Sequence, residues 1–144
     1  MLYTISLYLH ILSAIVATGP LFALFPLLNR MQKAPEDQLK GFILSIQGIL
    51  RAIANGGHFL VITGLLLIFV SGWSFSDSWI IVTLVIMACS LLFMARAYKP
   101  SMALTTSGEF TQKKFIQMTK MATYKYVLLM GTLLWLMVAK PEFW

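Results

Sequence analysis

Long apolar runs alternate with shorter polar stretches along this chain. A helix needs about 20 largely apolar residues to cross a bilayer, and four runs approach or reach that length: residues 3–28, 53–70, 79–97 and 126–139. The last is short by itself and becomes 121–139 when the residues before it join the helix. The pattern predicts an all-α fold: one integral membrane domain over residues 1–144, with four spans at about 3–28, 53–70, 79–97 and 121–139. Short connections favour an up-down-up-down bundle. No internal repeat and no low-complexity segment interrupts it.

The polar stretches between the spans differ in charge. Arg30, Lys33, Lys40 and Arg51 lie between the first two spans, and Arg96, Lys99, Lys113, Lys114, Lys120 and Lys125 between the third and fourth. These are ten of the eleven basic residues. The N-terminal segment and the turn at 72–77 have none, and the C-terminal tail has only Lys140. Cytoplasmic loops of membrane proteins carry the excess of Lys and Arg. Both basic loops are therefore expected in the cytoplasm of a cell-membrane protein with both termini outside. Tyr3, Tyr8, Trp73, Trp79, Phe143 and Trp144 fall near the outer boundary, where an aromatic belt belongs.

The basic loops are expected to be partly helical. Pro35 suits the first position of a helix, and Glu36 and Asp37 suit its positive dipole end. Thr106 and Glu109 have the spacing of a capping box. Helices 2 and 4 should then be long, extending into the cytoplasm, with helices 1 and 3 shorter. Pro20 and Pro26 should kink the inner half of helix 1, unless Pro26 ends it.

Composition agrees with this picture. The hydrophobic fraction is 59% and the charged fraction 11%, against roughly 25% charged in soluble domains. So few charges cannot cover a surface facing water, and the bilayer is the expected environment. The first run has no preceding Lys or Arg and is longer than a signal peptide's apolar region, so no cleavable signal is expected. The net charge of +6 resides where membrane topology puts it, so nucleic acid is not an expected partner. Cys89 is the only cysteine, which excludes an intramolecular disulfide and suits a small apolar filler.

Few residues could carry chemistry, because ionisable groups within a membrane are costly and most charges here lie at span ends. His10 sits about two turns into the first span. Ser6, His10, Ser13 and Ala17 recur at helical spacing, a small, partly polar stripe that should face the bundle interior and leave room beside the imidazole. His10 is a candidate metal ligand with Ser13 beside it; a histidine hydrogen-bonded between helices is the plainer alternative. Gln47, Arg51, Asn55 and His58 form a second polar stripe along span two. Arg51, Asn55 and His58 could belong to a hydrated inlet or contact an anionic or propionate group. A snorkelling arginine with interhelical hydrogen bonds fits the same residues. His10 and His58 differ in depth by roughly 10 Å from the helical rise, which argues against one shared site. The methionines of spans three and four read as packing. Phosphate loop, nucleophile elbow and paired carboxylates are all missing, which disfavours nucleotide and hydrolase chemistry.

The stretch Leu9, His10, Ile11 through Gly19, Phe22, Leu24 and Pro26 resembles the first span of the HemJ-type protoporphyrinogen oxidases. Arg51, Ala52 and Ile53, followed by Ile62, Thr63, Gly64, Leu65 and Leu66, look like the start of that family's next span; Lys140, Pro141 and Phe143 look like its C-terminal ending. The opening Leu9-His10-Ile11-Leu12-Ser13-Ala14 is also similar to that of CopD-type copper-resistance membrane domains. The resemblance implies four spans, and haem b at His10. The chain departs from the HemJ pattern in having no lysine over 77–81, no acidic residue near Thr123, Tyr124 and Lys125, and a histidine at position 58. It therefore resembles a relative on that scaffold rather than the oxidase itself. Three functions follow as expectations: a haem b-binding redox protein; a non-catalytic subunit or assembly factor of a larger membrane complex, or a homo-oligomer; and a CopD-like metal transporter using the Arg51, Asn55 and His58 stripe.

Overall fold

The computed structural model describes residues 1–106 and 110–143. Among these the chain is helical, with α1 at Leu2–Met31, α2 at Glu36–Ser71, α3 at Ser78–Ala97, a short α4 at Lys99–Leu104 and α5 at Gln112–Ala139. Four segments are long and apolar enough to cross a membrane: α1, α2, α3 together with α4, and α5.

The expected long helix is present in α2, whose 36 residues span about 54 Å, well beyond a hydrocarbon core of about 30 Å. Glu36 and Asp37 occupy its first turn, with Pro35 as the residue just before it rather than its first position. Its other end stops at Gly72, whose φ of 74° is the left-handed conformation that glycine takes without a Cβ penalty. The expectation that helix 1 is shorter than helix 4 is not met: α1 has 30 residues and α5 has 28. Pro20 and Pro26 both lie inside α1. Each proline removes only one intrahelical bond. In an apolar medium, leaving further backbone groups unpaired costs more than continuing the helix past the proline. Helix α5 begins at Gln112 with Thr111 before it. Of the capping box, Glu109 lies outside the described residues, as does Trp144; the Thr106 hydroxyl donates to the Ala103 carbonyl at 3.0 Å.

The bundle is built from two helix pairs. Helices α1 and α2 pack along most of their lengths, α3 and α5 form a looser pair, and α1 also touches α5. The α1 and α2 backbones approach closely at Gly56: a Cβ built there would lie 2.8 Å from the Ala17 nitrogen. Small residues at such crossings let helices gain van der Waals contact where lipid supplies no hydrophobic drive.

An up-down bundle brings the N-terminus, the 72–77 connection and the C-terminus to one end, called here the terminal end; the two basic connections share the other, basic end. Much of the buried core of α1 lies toward the basic end. On α1, Ala17, Leu21, Leu24, Leu28 and Met31 repeat at three- and four-residue spacing and are all essentially buried, packed with Ile46 and Ile53 of α2 and Phe115 of α5. Hydrogen bonds lace the same end. The Gln112 side-chain amide donates to the Met31 carbonyl, Lys120 Nζ donates to Asn29 Oδ1 at 2.7 Å, and the Tyr98 hydroxyl meets Thr123 Oγ1 at 3.2 Å.

Candidate functional site

Toward the terminal end the two helix pairs line a half-open apolar cavity of about 540 Å³. One face of α1 contributes Leu7, His10, Ala14 and Thr18, at the spacing that keeps side chains on one side of a helix. Helix α2 contributes Gly64, α3 contributes Thr83, Leu84 and Met87, and α5 contributes Met137. Trp73, Trp79 and Lys140 stand at the outermost rim.

His10 is the polar centre of this space. It is 8% exposed and lines the cavity. Its Nδ1 lies 3.1 Å from Thr63 Oγ1, and that hydroxyl is itself 2.8 Å from the Phe59 carbonyl and 3.2 Å from the Leu60 carbonyl. A hydroxyl has one proton to give, and a carbonyl can only accept. With the Thr63 proton directed to its own helix, His10 Nδ1–H donates to Thr63, and Nε2 keeps its lone pair; this tautomer follows from the network. Gly64 completes the seat. A Cβ built there would come within 3.1 Å of His10 Cε1 and 3.6 Å of Nδ1. The Nδ1–Cε1 edge of the ring therefore rests on α2. A ring held by one nitrogen with the other free is how metal-binding histidines are oriented.

The other candidate residues lie elsewhere. Ser13 is half-buried and its hydroxyl donates back to the Leu9 carbonyl at 2.7 Å. Arg51, Asn55 and His58 are all exposed on the outward side of α2 and do not line the cavity. Of the five candidates, the structure puts His10 alone in the cavity. Thr63 and Gly64, next to one another in span two, were not singled out as site residues from the sequence; a threonine and a glycine adjacent in an apolar span were the available signal. Nor were the rim residues Lys140, Trp73 and Trp79. Among the described residues, no three His, Cys, Asp or Glu side chains converge as a metal-ion site.

The model of one protein family, described as predicted integral membrane proteins, matches residues 4–141. The chain belongs to this family, DUF2269. No curated protein and no solved structure matches it. The matched region takes in all but the first two residues of the four spans of this DUF2269 chain, the cavity apart from Tyr3, and Lys140.

Proposed function

We propose that this DUF2269 protein holds a large, flat, apolar molecule in the cavity at its terminal end, that the molecule is haem b, and that His10 is the protein ligand to its iron. The observation that carries the reading is a buried imidazole, held at Nδ1 by Thr63, that lines an apolar space of about 540 Å³. Ligand sites are concave, largely apolar and furnished with a few fixed polar groups. A lone histidine suits a metal whose remaining ligands come from a macrocycle rather than from the protein. The resemblance of the first span to HemJ-type proteins points to the same group at the same histidine. When bound, haem b would supply one-electron chemistry at its iron. The chain's own part is to orient the imidazole through Thr63, to seat the ring against Gly64, and to keep water from the apolar walls. In this reading the terminal end faces out of the cell at the plasma membrane. The support is the gathering of ten of the eleven basic residues at the other end.

Absorption spectra of detergent-purified protein, oxidised and then reduced with dithionite, test the proposal beside a His10→Ala variant. A stoichiometric Soret band that weakens or shifts in the variant is the expected result. No Soret band after expression with added haem precursor would remove haem from the account.

A second reading rests on Arg51, Asn55 and His58, exposed on the outward side of α2. Polar groups facing lipid are costly, so this stripe suits contact with another membrane subunit. Replacing Asn55 and His58 with leucine should then release a co-purifying partner without altering the cavity.

A further inference from the structure

The cavity has a second polar point, at the rim opposite His10. Lys140 caps α5 with φ 44° and ψ 54°, and among the described residues it is the only non-glycine with positive φ. A residue with a side chain adopts that conformation only where its surroundings hold it. Here two contacts do so. The Lys140 N–H donates to the Leu136 carbonyl at 3.0 Å. Three residues on, the Phe143 N–H donates at 2.9 Å to the hydroxyl of Ser78, which is buried at the start of α3. The tail is thereby pinned across the end of the bundle.

This placement sets the Lys140 ammonium 4.5 Å from the Trp73 ring centroid and 5.5 Å from that of Trp79. The two indoles stand edge-to-face, with centroids 5.2 Å apart. Aromatic faces attract a cation but do not neutralise it. Among the described residues no carboxylate pairs with this ammonium. The Lys140 side chain thus stands, oriented, at the rim of a largely apolar space, with the His10 imidazole at depth. His10 lies about two helical turns into α1 from the terminal end, so apolar wall separates it from the rim.

We infer that the cavity takes a carboxylate amphiphile, with its carboxylate at Lys140 between Trp73 and Trp79 and its apolar body reaching toward His10. This rests on the reading of the cavity as a ligand site and names the chemistry of the ligand. A porphyrin with propionate edges and a long-chain fatty acid share that chemistry.

Two probe pairs separate these sources and test the inference: haemin against its dimethyl ester, followed by the Soret band, and cis-parinaric acid against its methyl ester, followed by fluorescence. Each pair is titrated into wild-type protein, Lys140→Gln and Lys140→Arg in a non-ionic detergent. Lys140 is exposed at a helix end, so both variants should keep the wild-type thermal transition. Wild type should favour the acid over the ester roughly tenfold, as expected for a charge-assisted hydrogen bond. Lys140→Gln should erase that preference by weakening the acid alone, and Lys140→Arg should keep it. Equal binding of acid and ester by wild type, or a preference that survives Lys140→Gln, overturns the inference even if haemin binds at His10. Parinarate that binds through Lys140 while haemin does not bind sustains the inference and removes haem. Failure of both acids to bind overturns both.

Discussion

The two halves of this bundle are built on the same four helices and differ in what fills them. Along the inward face of α1, the basic half carries Leu21, Leu24, Leu28 and Met31, all fully buried. Nearer the N-terminus the same face carries His10, Ala14 and Thr18, and there the helix pairs line a half-open cavity of about 540 Å³. The Ala17–Gly56 crossing lies where the large side chains give way to small ones. Below it, large aliphatic groups and side-chain hydrogen bonds knit all four helices. Above it, small and polar residues leave space that the neighbouring helices do not close. A soluble core would tend to collapse around such a space, because apolar burial drives it. Between helices in lipid that drive is absent, so packing alone decides where the bundle is full and where it is hollow.

Truncation should separate the halves most sharply. Leu24→Ala opens a void where none exists, and should cost about 2–5 kcal/mol in a reversible unfolding titration in mixed detergent micelles. Leu84→Ala enlarges a space that is already open, and should cost about 1 kcal/mol. Equal losses at both positions would mean that the terminal half is packed as tightly as the basic half. The crossing between the halves is next. A Cβ at position 56 meets the α1 backbone, which cannot yield as a side-chain tip can. Gly56→Ala should therefore cost about 1–3 kcal/mol, whereas Gly48→Ala, with nothing within 4 Å of the added carbon, should change stability by no more than about 1 kcal/mol.

The sequence made the packed half more legible than the hollow one, for physical reasons. Span length is a local property, so the four helices could be counted from runs of apolar residues alone. The length of α1 was harder, because the proline penalty measured in water overstates its power to end a helix in an apolar medium. The small, partly polar stripe of Ser6, His10, Ser13 and Ala17 was readable from helical spacing; Ser6, His10 and Ala17 are buried, whereas Ser13 is only half-buried and lies outside the cavity. The partner of His10 was not readable, because Thr63 meets it across 53 residues of chain and only the α1–α2 register sets that pairing. The stripe of Arg51, Asn55 and His58 was equally visible as a stripe, but its direction depends on which side of α2 the other helices occupy. Lys140 entered the sequence reading only as the one basic residue of the C-terminal tail and part of its ending; its neighbours Trp73 and Trp79 are brought to it by the fold from two other elements.

The hydrogen bond that holds His10 gives a finer test of the hollow half. Thr63→Val keeps the shape of the side chain and removes the oxygen that accepts from Nδ1. Stability should fall by about 1 kcal/mol, the usual net worth of one such bond. The sharper readout is the tautomer. Nitrogen-15 spectra of histidine-labelled protein should show His10 protonated on Nδ1 in the wild type and a mixture of tautomers in the variant. A wild-type ring protonated on Nε2 would reverse the assignment and make Nε2 a donor, without a lone pair.

The smallest effect on stability, and the one most specific to the site, is expected from Gly64→Ala. The added methyl group would lie 3.1 Å from His10 Cε1, so the ring must give way by a few tenths of an ångström. It can, because the side away from α2 is the cavity. The strain should be small and opposed by the gain of about 0.5–1 kcal/mol from replacing a glycine within a helix. Unfolding should therefore stay close to wild type while the ring is displaced from Thr63. If the hollow half is a seat for a ligand, this change should shift the Soret band or weaken probe binding with hardly any change in stability. The same methyl group placed in the basic half, against fully packed neighbours, would have to act on stability first. A Gly64→Ala protein that binds like wild type would mean that the position of the imidazole does not govern the cavity, and the contrast between a packed half and a binding half would lose its chemical content.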